Sequence, residues 1–153
     1  MKRFVFTTNL YNTEKYSNAL STLWGNKCAV IKVFSVGQIF LEENGKGALV
    51  ADNDYIGFVN GYLRDGTLES SELHDHNRSV FSILDRNWPL PGHISQSFSA
   101  IKITRDKIFL ANDVVGFYPL YYSLIDQELI VSSHLIPISR LREVEIDPVG
   151  VLQ

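Results

Sequence analysis

The chain has 153 residues, of which 45% are hydrophobic and 20% are charged, and its net charge is −3. This length is typical of one domain with a sizeable core. The chain carries no basic stripe that could neutralise phosphates, and no apolar run approaches the roughly 20 residues that span a bilayer. We therefore expect neither nucleic-acid nor membrane binding. The single cysteine, Cys28, excludes an internal disulfide framework and fits a reducing, cytoplasmic location.

The beginning of the chain predicts a strand followed by a helix. Residues 3–7 (RFVFT) predict a short strand. Asn12 or Thr13 can cap the start of the helix, and Gly25 can adopt the left-handed conformation at its end. Between these positions the apolar side chains recur with the helical period and form one stripe: Tyr16, Ala19, Leu20, Leu23 and Trp24.

The middle of the chain predicts short strands and a second helix. Residues 28–41 predict two short strands or one bulged strand, because Gly37 interrupts the pattern. Residues 43–47 (ENGKG) predict a turn, and residues 49–60 predict two strand segments around a turn at 52–54. Residues 63–76 are polar and predict a loop. A helix is expected over about residues 77–87, since Trp88-Pro89 would end it.

The second half of the chain predicts two β-hairpins. In the first, residues 97–104 and 107–112 are the strands. In the second, residues 120–124 and 128–133 are the strands. Roughly eight strands with few helices predict an α+β sandwich of mostly antiparallel sheets.

The last residues predict the start of another element. Asp147 and Pro148 have the N-cap and first-turn pattern of a helix. A helix of the few remaining residues would not be stable alone. We therefore expect one domain over residues 1–146 and the beginning of a following element over residues 147–153.

A motif in the second half resembles a known family. Residues 98–138 contain FSA, then D-x-x-G-x-x-P-L-Y-Y with Asn112 before the aspartate, then a strand that ends in SS. This order and spacing resemble the end of the N-terminal glutaminase domain, a class II glutamine amidotransferase, of asparagine synthetases. Residues 146–148 resemble the beginning of that family's ATP-using synthetase domain. The positions that match are Phe98 to Ala100, Asp113, Gly116, Pro119, Leu120, Tyr121, Tyr122, Ser132 and Ser133.

The resemblance implies a fold and a reaction. The fold is that of the N-terminal-nucleophile (Ntn) hydrolases, a four-layer αββα sandwich with two mostly antiparallel sheets. In the reaction, the α-amine of an N-terminal cysteine acts as base for its own thiol, which attacks the glutamine amide and releases ammonia. ATP and Mg²⁺ are implied only for a downstream synthetase domain, which would be the partner of this chain. No Gly-rich phosphate-binding motif occurs here, and we expect no cofactor or metal in this chain.

The nucleophile that the family requires is missing from the start of the chain. Met1 stands at the position of the cysteine, and Lys2 follows it. Cys28 cannot replace it, because the thiol and the free α-amine must belong to one residue. Cleavage after Phe6 would expose Thr7 as an alternative nucleophile, but it would also remove most of the first strand. We therefore expect no catalytic residue and no glutaminase activity.

The positions that would bind glutamine also depart from the family. The resemblance places Gln38 where an arginine grips the α-carboxylate, and Asn77 where an aspartate meets the α-amine. Both residues are neutral, so the two charges of glutamine would lack their partners.

The oxyanion position has three interpretations. The family provides an Asn-Gly pair that donates to the tetrahedral oxygen. This pair corresponds to Asn60-Gly61 or, in a register shifted by four residues, to Ile56-Gly57. Asn60-Gly61 is also typical of a tight turn.

Several other polar residues are candidates for metal ligands or reactive groups. His74 and His76 have a spacing that places two imidazoles on one side of a strand, but they lie in a polar stretch without a third ligand nearby in sequence. We predict a solvated loop there, a loop at His93, and a solvated strand end at the acidic residues 42–43. His134 replaces a glutamate of the family motif, and the sequence assigns it no chemical role.

Two functional hypotheses follow. The first is a degenerate glutaminase-like domain of an asparagine-synthetase-like protein that forms an amide or a lactam, in which this domain is the structural partner of the synthetase domain. The second is a stand-alone binding or assembly module, in which an exposed aromatic such as Tyr121 or Tyr122 forms a homodimer or partner surface.

Overall fold

The computed structural model describes residues 3–43, 49–65, 80–82, 84–85, 94–113 and 116–144, with the side chains of 62–65 and 94–96 left out. Residues 80–82 and 84–85 are helical, and we call them the central helical segment. The other elements of the described residues are β1 Phe4–Thr7, α1 Thr13–Trp24, β2 Cys28–Val33, β3 Gly37–Glu42, β4 Leu49–Ala51, β5 Ile56–Asp65, β6 Ile94–Ile103, β7 Ile108–Asn112, β8 Tyr121–Ile125, β9 Glu128–Ser132 and α2 Leu135–Arg142.

The strands form two antiparallel sheets, as the sequence predicts. The first sheet has the order β2-β3-β1-β9-β8, and the second has the order β4-β5-β6-β7. Every pairing in both sheets is antiparallel. The strand β1 lies in the centre of the first sheet, between β3 and β9. The class is therefore α+β, with two antiparallel sheets and a few helices.

Three apolar clusters hold the layers together. The first lies between the two sheets and includes Phe4 and Phe58, whose ring centroids are 4.4 Å apart. The second packs α1 and α2 onto the outer face of the first sheet, through residues such as Leu20 and Leu141. The third packs the central helical segment onto the outer face of the second sheet, where Phe81 is buried. Each helix thus covers one sheet face with its apolar side.

The first helix forms where its stripe predicts. Tyr16, Leu20 and Trp24 are buried, and Gly25 ends the helix in the left-handed conformation with φ 70°. Asn12 occupies the N-cap position, and its backbone carbonyl accepts a hydrogen bond from the N–H of Tyr16. Its side chain makes no capping hydrogen bond, which differs from the expectation.

Residues 28–42 form two strands, not one bulged strand. Three residues, 34–36, turn the chain between β2 and β3. Gly37 is required at the start of β3, because a Cβ there would lie 2.3 Å from the carbonyl oxygen of Thr7. β5 continues to Asp65, so residues 63–65 are strand and not the predicted loop.

Some predicted elements fall outside the described residues. These are the turn over residues 44–47, most of the loop over 66–76 and the helix start at 147–148. Of the helix expected over residues 77–87, the described residues 80–82 and 84–85 are helical.

Both predicted hairpins are present, and one helix was not predicted. In the β8–β9 hairpin, Asp126 and Gln127 both have positive φ, 49° and 64°, which defines a two-residue type I′ turn. The helix α2 was missed because Pro137 lies inside it. Proline is tolerated there since it occupies the first turn, where no backbone N–H has a helical partner.

Candidate functional site

Gln38, which the resemblance aligns with the glutamine-binding arginine of asparagine synthetases, is fully buried on β3. Its amide nitrogen donates to the carbonyl oxygen of Asn9 at 2.7 Å. Its amide oxygen accepts a hydrogen bond from the Thr13 hydroxyl at 2.9 Å. Both ends of the amide therefore tie β3 to the loop that leads into α1.

A polar network that the sequence did not indicate lies nearby, around Glu128. One carboxylate oxygen accepts hydrogen bonds from the hydroxyl of Thr7 at 3.1 Å and from that of Tyr16 at 2.9 Å. The other oxygen forms an ion pair with Arg142, at 3.0 Å. Burial, followed by the hydrogen bond to Glu128, raises the pKa of Tyr16 above its usual value of 10.0.

The Arg142 guanidinium also makes hydrogen bonds to β8 and β9 beyond the ion pair. It donates to the carbonyl oxygen of Glu128 at 2.6 Å and to the hydroxyl of Ser123 at 3.2 Å. The network therefore connects β1, α1, β8, β9 and α2. These contacts use the carboxylate oxygens and most of the guanidinium, so we interpret the network as a structural one.

Thr7 does not have the environment of a nucleophile. Its side chain is fully buried, and its hydroxyl also accepts a hydrogen bond from the backbone N–H of Asn9. Cleavage after Phe6 would delete Phe4, Val5 and Phe6, each of which is at most 1% exposed. Such a loss would remove the central strand of the first sheet, which argues against the threonine alternative.

The oxyanion candidates lie on β5. Asn60 is buried and pairs with Ser99 on β6. Gly61 has φ +88°, and a Cβ there would lie 2.1 Å from the carbonyl oxygen of Ser97. Asn60 and Gly61 are thus inside a strand, so the tight-turn interpretation was wrong. In the part of the chain that is described, Ser99 Oγ is a buried side-chain oxygen without a hydrogen-bond partner.

Gly57 has a packing explanation. A Cβ at this position would lie 2.3 Å from the ring of Phe81. The missing side chain therefore lets the central helical segment approach β5. This contact explains the glycine without any oxyanion chemistry.

Asp113 is buried and joins two parts of the motif. One carboxylate oxygen accepts a hydrogen bond from the backbone N–H of Phe98 at 2.8 Å, and the other accepts one from the N–H of Gly116. Gly116 has φ +72°, which favours glycine. Asp113 therefore caps the turn at Gly116 and also ties this turn to β6.

The remaining motif residues also have structural positions. Pro119 precedes β8, and Tyr121 packs against the cluster under α1 and α2. Tyr122 lies on the same strand and is 69% exposed. The Ser133 hydroxyl accepts a hydrogen bond from the N–H of Phe4 and lies 2.9 Å from Nδ1 of His134.

The other titratable candidates show no reactive arrangement. Burial raises the pKa of Cys28 to about 11, which disfavours the reactive thiolate. Burial, together with the positive charge of Arg3, lowers the pKa of His134. Glu42 forms an ion pair with Arg3 at 3.5 Å, so it is not simply a solvated strand end.

Some predicted site residues cannot be placed. Met1, His74, His76, Asn77 and His93 lie outside the described residues. Within the described ranges, no group of three metal-ligating side chains occurs, and no helix is long and apolar enough to cross a membrane.

Surface grooves lined by described residues are found next to the helices. One of about 380 Å³ lies between the central helical segment and the second sheet, and its lining includes Phe81, Phe109 and the Lys102–Asp85 ion pair. Another of about 460 Å³ lies between α1 and α2. Neither has Gln38 or Glu128 in its lining.

Comparison of the chain with protein-family models and with curated proteins found no match.

Proposed function

We propose that this chain is a glutaminase-like domain that does not hydrolyse glutamine and that serves as the structural partner of an asparagine-synthetase-like synthetase domain. By analogy with β-lactam synthetases and lasso-peptide cyclases, which are relatives of asparagine synthetases with degenerate glutaminase-like domains, the whole protein would use ATP to form an amide or lactam. These reactions use an amine already in the substrate, so they need no ammonia.

The layer order supports the Ntn-type fold within this proposal. Two antiparallel sheets pack face to face, helices α1 and α2 cover one outer face, and the central helical segment covers the other. This arrangement is what a four-layer αββα sandwich requires. The Asp113 contacts with Phe98 and Gly116 give the family-like motif a physical role in joining the second sheet to the segment that leads into β8.

The environment of the Gln38 side chain is the observation that supports the absence of glutamine hydrolysis. Its side chain is buried and neutral, and both of its polar ends are engaged by Asn9 and Thr13. A glutamine α-carboxylate needs a charged, bidentate donor in such a pocket, whereas Gln38 carries no charge and already donates one of its two N–H groups to Asn9.

A glutaminase assay tests the proposal. Glutamate released from glutamine is measured with the purified chain and with a heat-denatured sample. We expect the two to give the same rate, and turnover above that background would refute the proposal.

The variant Lys2→Cys places a cysteine directly after the initiator methionine, which cells remove before small residues. We expect this variant to be inactive as well, and its activity would refute the argument from Gln38.

A separate test addresses the proposed partner, the synthetase domain. The coding sequence that follows residue 153 is read for the S-G-G-x-D-S motif of the ATP site. Its presence supports the synthetase partner, whereas a stop codon favours the second candidate function.

The second candidate is a binding or assembly module, and the exposed strand β8 favours it. Tyr122 and Leu124 on this strand are 69% and 66% exposed. Large apolar side chains side by side on an edge strand are typical of an interaction surface. Analytical ultracentrifugation at several protein concentrations tests for self-association.

A further inference from the structure

The strand β8 is an edge strand without the usual protection against pairing. In the described part of the chain it pairs with β9 alone, and residues 120–125 (LYYSLI) contain no charge and no proline. Native edge strands are commonly protected by a charged residue or by short length. The opposite edge strand, β2, carries the exposed Lys32, and β4 has only three residues. β8 has neither feature.

The hairpin turn determines which backbone groups of β8 face outward. In a two-residue type I′ hairpin the pair that closes the turn, Ile125 with Glu128, is hydrogen-bonded. Antiparallel hydrogen bonding alternates, so Ile125, Ser123 and Tyr121 direct their N–H and C=O groups toward β9. The N–H and C=O groups of Tyr122 and Leu124 therefore point to the open edge.

We propose that β8 pairs with the β8 of a second copy of this chain, antiparallel and about a two-fold axis at Ser123. In this register Tyr122 of one copy lies opposite Leu124 of the other. Because both residues direct their backbone groups outward, each such pair exchanges two hydrogen bonds. The contact is self-complementary, as a two-fold interface must be. It joins the two five-stranded sheets into one.

The side chains favour the same register. Tyr122 and Leu124 lie opposite Val131 and Leu129 on β9 and share the face that lies toward the second sheet. In the paired copies each tyrosine ring would cover the leucine across the axis, a favourable aromatic–aliphatic cross-strand pair. The burial of both side chains removes the largest exposed apolar groups of β8 from water.

The charges near the axis do not oppose the pairing. Arg142 lies next to Ser123, so two copies bring two guanidinium groups toward the axis. Each is already neutralised by the Glu128 of its own chain. Between Leu120 and Ile125 no other charge would be buried.

The surface area that two copies of β8 can bury predicts a weak dimer. One aromatic side chain buries about 150–250 Å² when it is fully covered, so two copies of this short strand bury less than the roughly 1,200 Å² of a stable interface. The dimer should therefore dissociate on dilution. This inference rests on the second candidate function and does not depend on the outcome of the glutaminase assay.

Cysteine cross-linking tests the register. In a Cys28→Ala background, Ser123→Cys places two thiols at a non-hydrogen-bonded pair, where Cα atoms are about 4.5 Å apart, within the disulfide range of about 4.4–6.8 Å. The matched variant Ile125→Cys lies on the same strand and the same face. Its two copies would be separated by about 13 Å, four residues along the strand, which is too far for a disulfide.

We expect Ser123→Cys to form a disulfide-linked dimer under mild oxidation and Ile125→Cys to remain monomeric, as seen on non-reducing gels. Equal cross-linking of the two variants, or none with Ser123→Cys, overturns the register.

Charge substitution provides an independent measurement on uncross-linked protein. Leu124→Lys should abolish the concentration-dependent dimer in sedimentation velocity, because it places a charge against Tyr122 of the other copy. Leu23→Lys makes the same change on α1, away from β8, and should leave the dimer intact. A chain that is monomeric throughout the dilution series, or a dimer that survives Leu124→Lys, refutes the pairing through β8 whatever the glutaminase assay gives.

Discussion

Replacing Arg142 by methionine removes the cation that compensates Glu128 and keeps a chain of similar length. The carboxylate would remain between β1, α1 and α2 without its ion pair, and the backbone contact at 2.6 Å would also be lost. Breaking one side of a buried pair costs about 3–5 kcal/mol, because the remaining charge is left without compensation.

The exposure of the two side chains determines where in this range of about 3–5 kcal/mol the loss in stability falls. Arg142 and Glu128 are 10% and 20% exposed, so some water reaches the pair. We therefore expect the lower end, about 3 kcal/mol, for the loss in the free energy of unfolding. For a domain of this size that corresponds to a fall in Tm of roughly 6–12 °C.

A double-mutant cycle separates the pair from its surroundings. Glu128→Gln removes the charge but keeps an oxygen that can accept the hydroxyls of Thr7 and Tyr16. Urea unfolding of the wild type, of each single variant and of the double variant gives the coupling energy. We expect the double variant to be less destabilised than the sum of the two single variants, by more than about 1.5 kcal/mol.

The Lys15–Glu143 ion pair is the matched control. Its side chains are 61% and 69% exposed, and exposed pairs contribute little. Lys15→Met should therefore leave Tm unchanged within error. Coupling of less than about 0.5 kcal/mol between Glu128 and Arg142 would refute the view that this pair holds the helices on the first sheet.

Four further substitutions test single features. Gly61→Ala should destabilise by about 2 kcal/mol in urea unfolding, because its Cβ would meet the carbonyl oxygen of Ser97 at positive φ. Gly25→Ala, at positive φ in open space, should cost only about 1 kcal/mol. Asp113→Asn should cost about 2 kcal/mol, because the charge that strengthens two backbone hydrogen bonds is lost. Tyr16→Phe should destabilise most below pH 10.0, and its difference from the wild type should shrink as the pH rises further.

The sign of the last expectation follows from the raised pKa of Tyr16. The folded state favours the protonated phenol, so this stabilisation is complete below the unfolded value near 10.0 and is lost as the pH rises through the folded value. A difference in stability between Tyr16→Phe and the wild type that stays constant over the alkaline range would contradict it.

Equal losses of stability for the alanine variants of Gly61 and Gly25 would contradict the steric argument. An Asp113→Asn variant as stable as the wild type would contradict the capping role.

Elements with local patterns could be predicted from the sequence. The apolar stripe of α1 and the alternation in the two hairpins depend on residues close together in the chain, where the helical and strand periods act directly. The helix α2 was missed, because Pro137 is a helix breaker in the interior and harmless in the first turn. Asn60-Gly61 has the composition of a turn, but β5 and β6 pair straight through it.

The site could be predicted only in part, because its contacts are long-range. The resemblance aligned Gln38 with an arginine of asparagine synthetases, and the sequence itself shows that the side chain of Gln38 is neutral. That its amide is engaged by Asn9 and Thr13 depends on how α1 docks onto β3. Likewise, Glu128 meets Thr7 across a separation of 121 residues, and no spacing rule connects them.

The central position of β1 has a consequence for the order of assembly. β1, which precedes the other described strands along the chain, is flanked by β3 and by β9, and the second of these pairings joins Thr7 to Ile130. A growing chain on the ribosome can therefore pair β1 on one side early, but the other side stays open until nearly the whole domain has emerged. During that interval the apolar strand FVFT presents an unpaired edge. Of the described strands, the earliest along the chain thus gains its second neighbour only when β9 has been made.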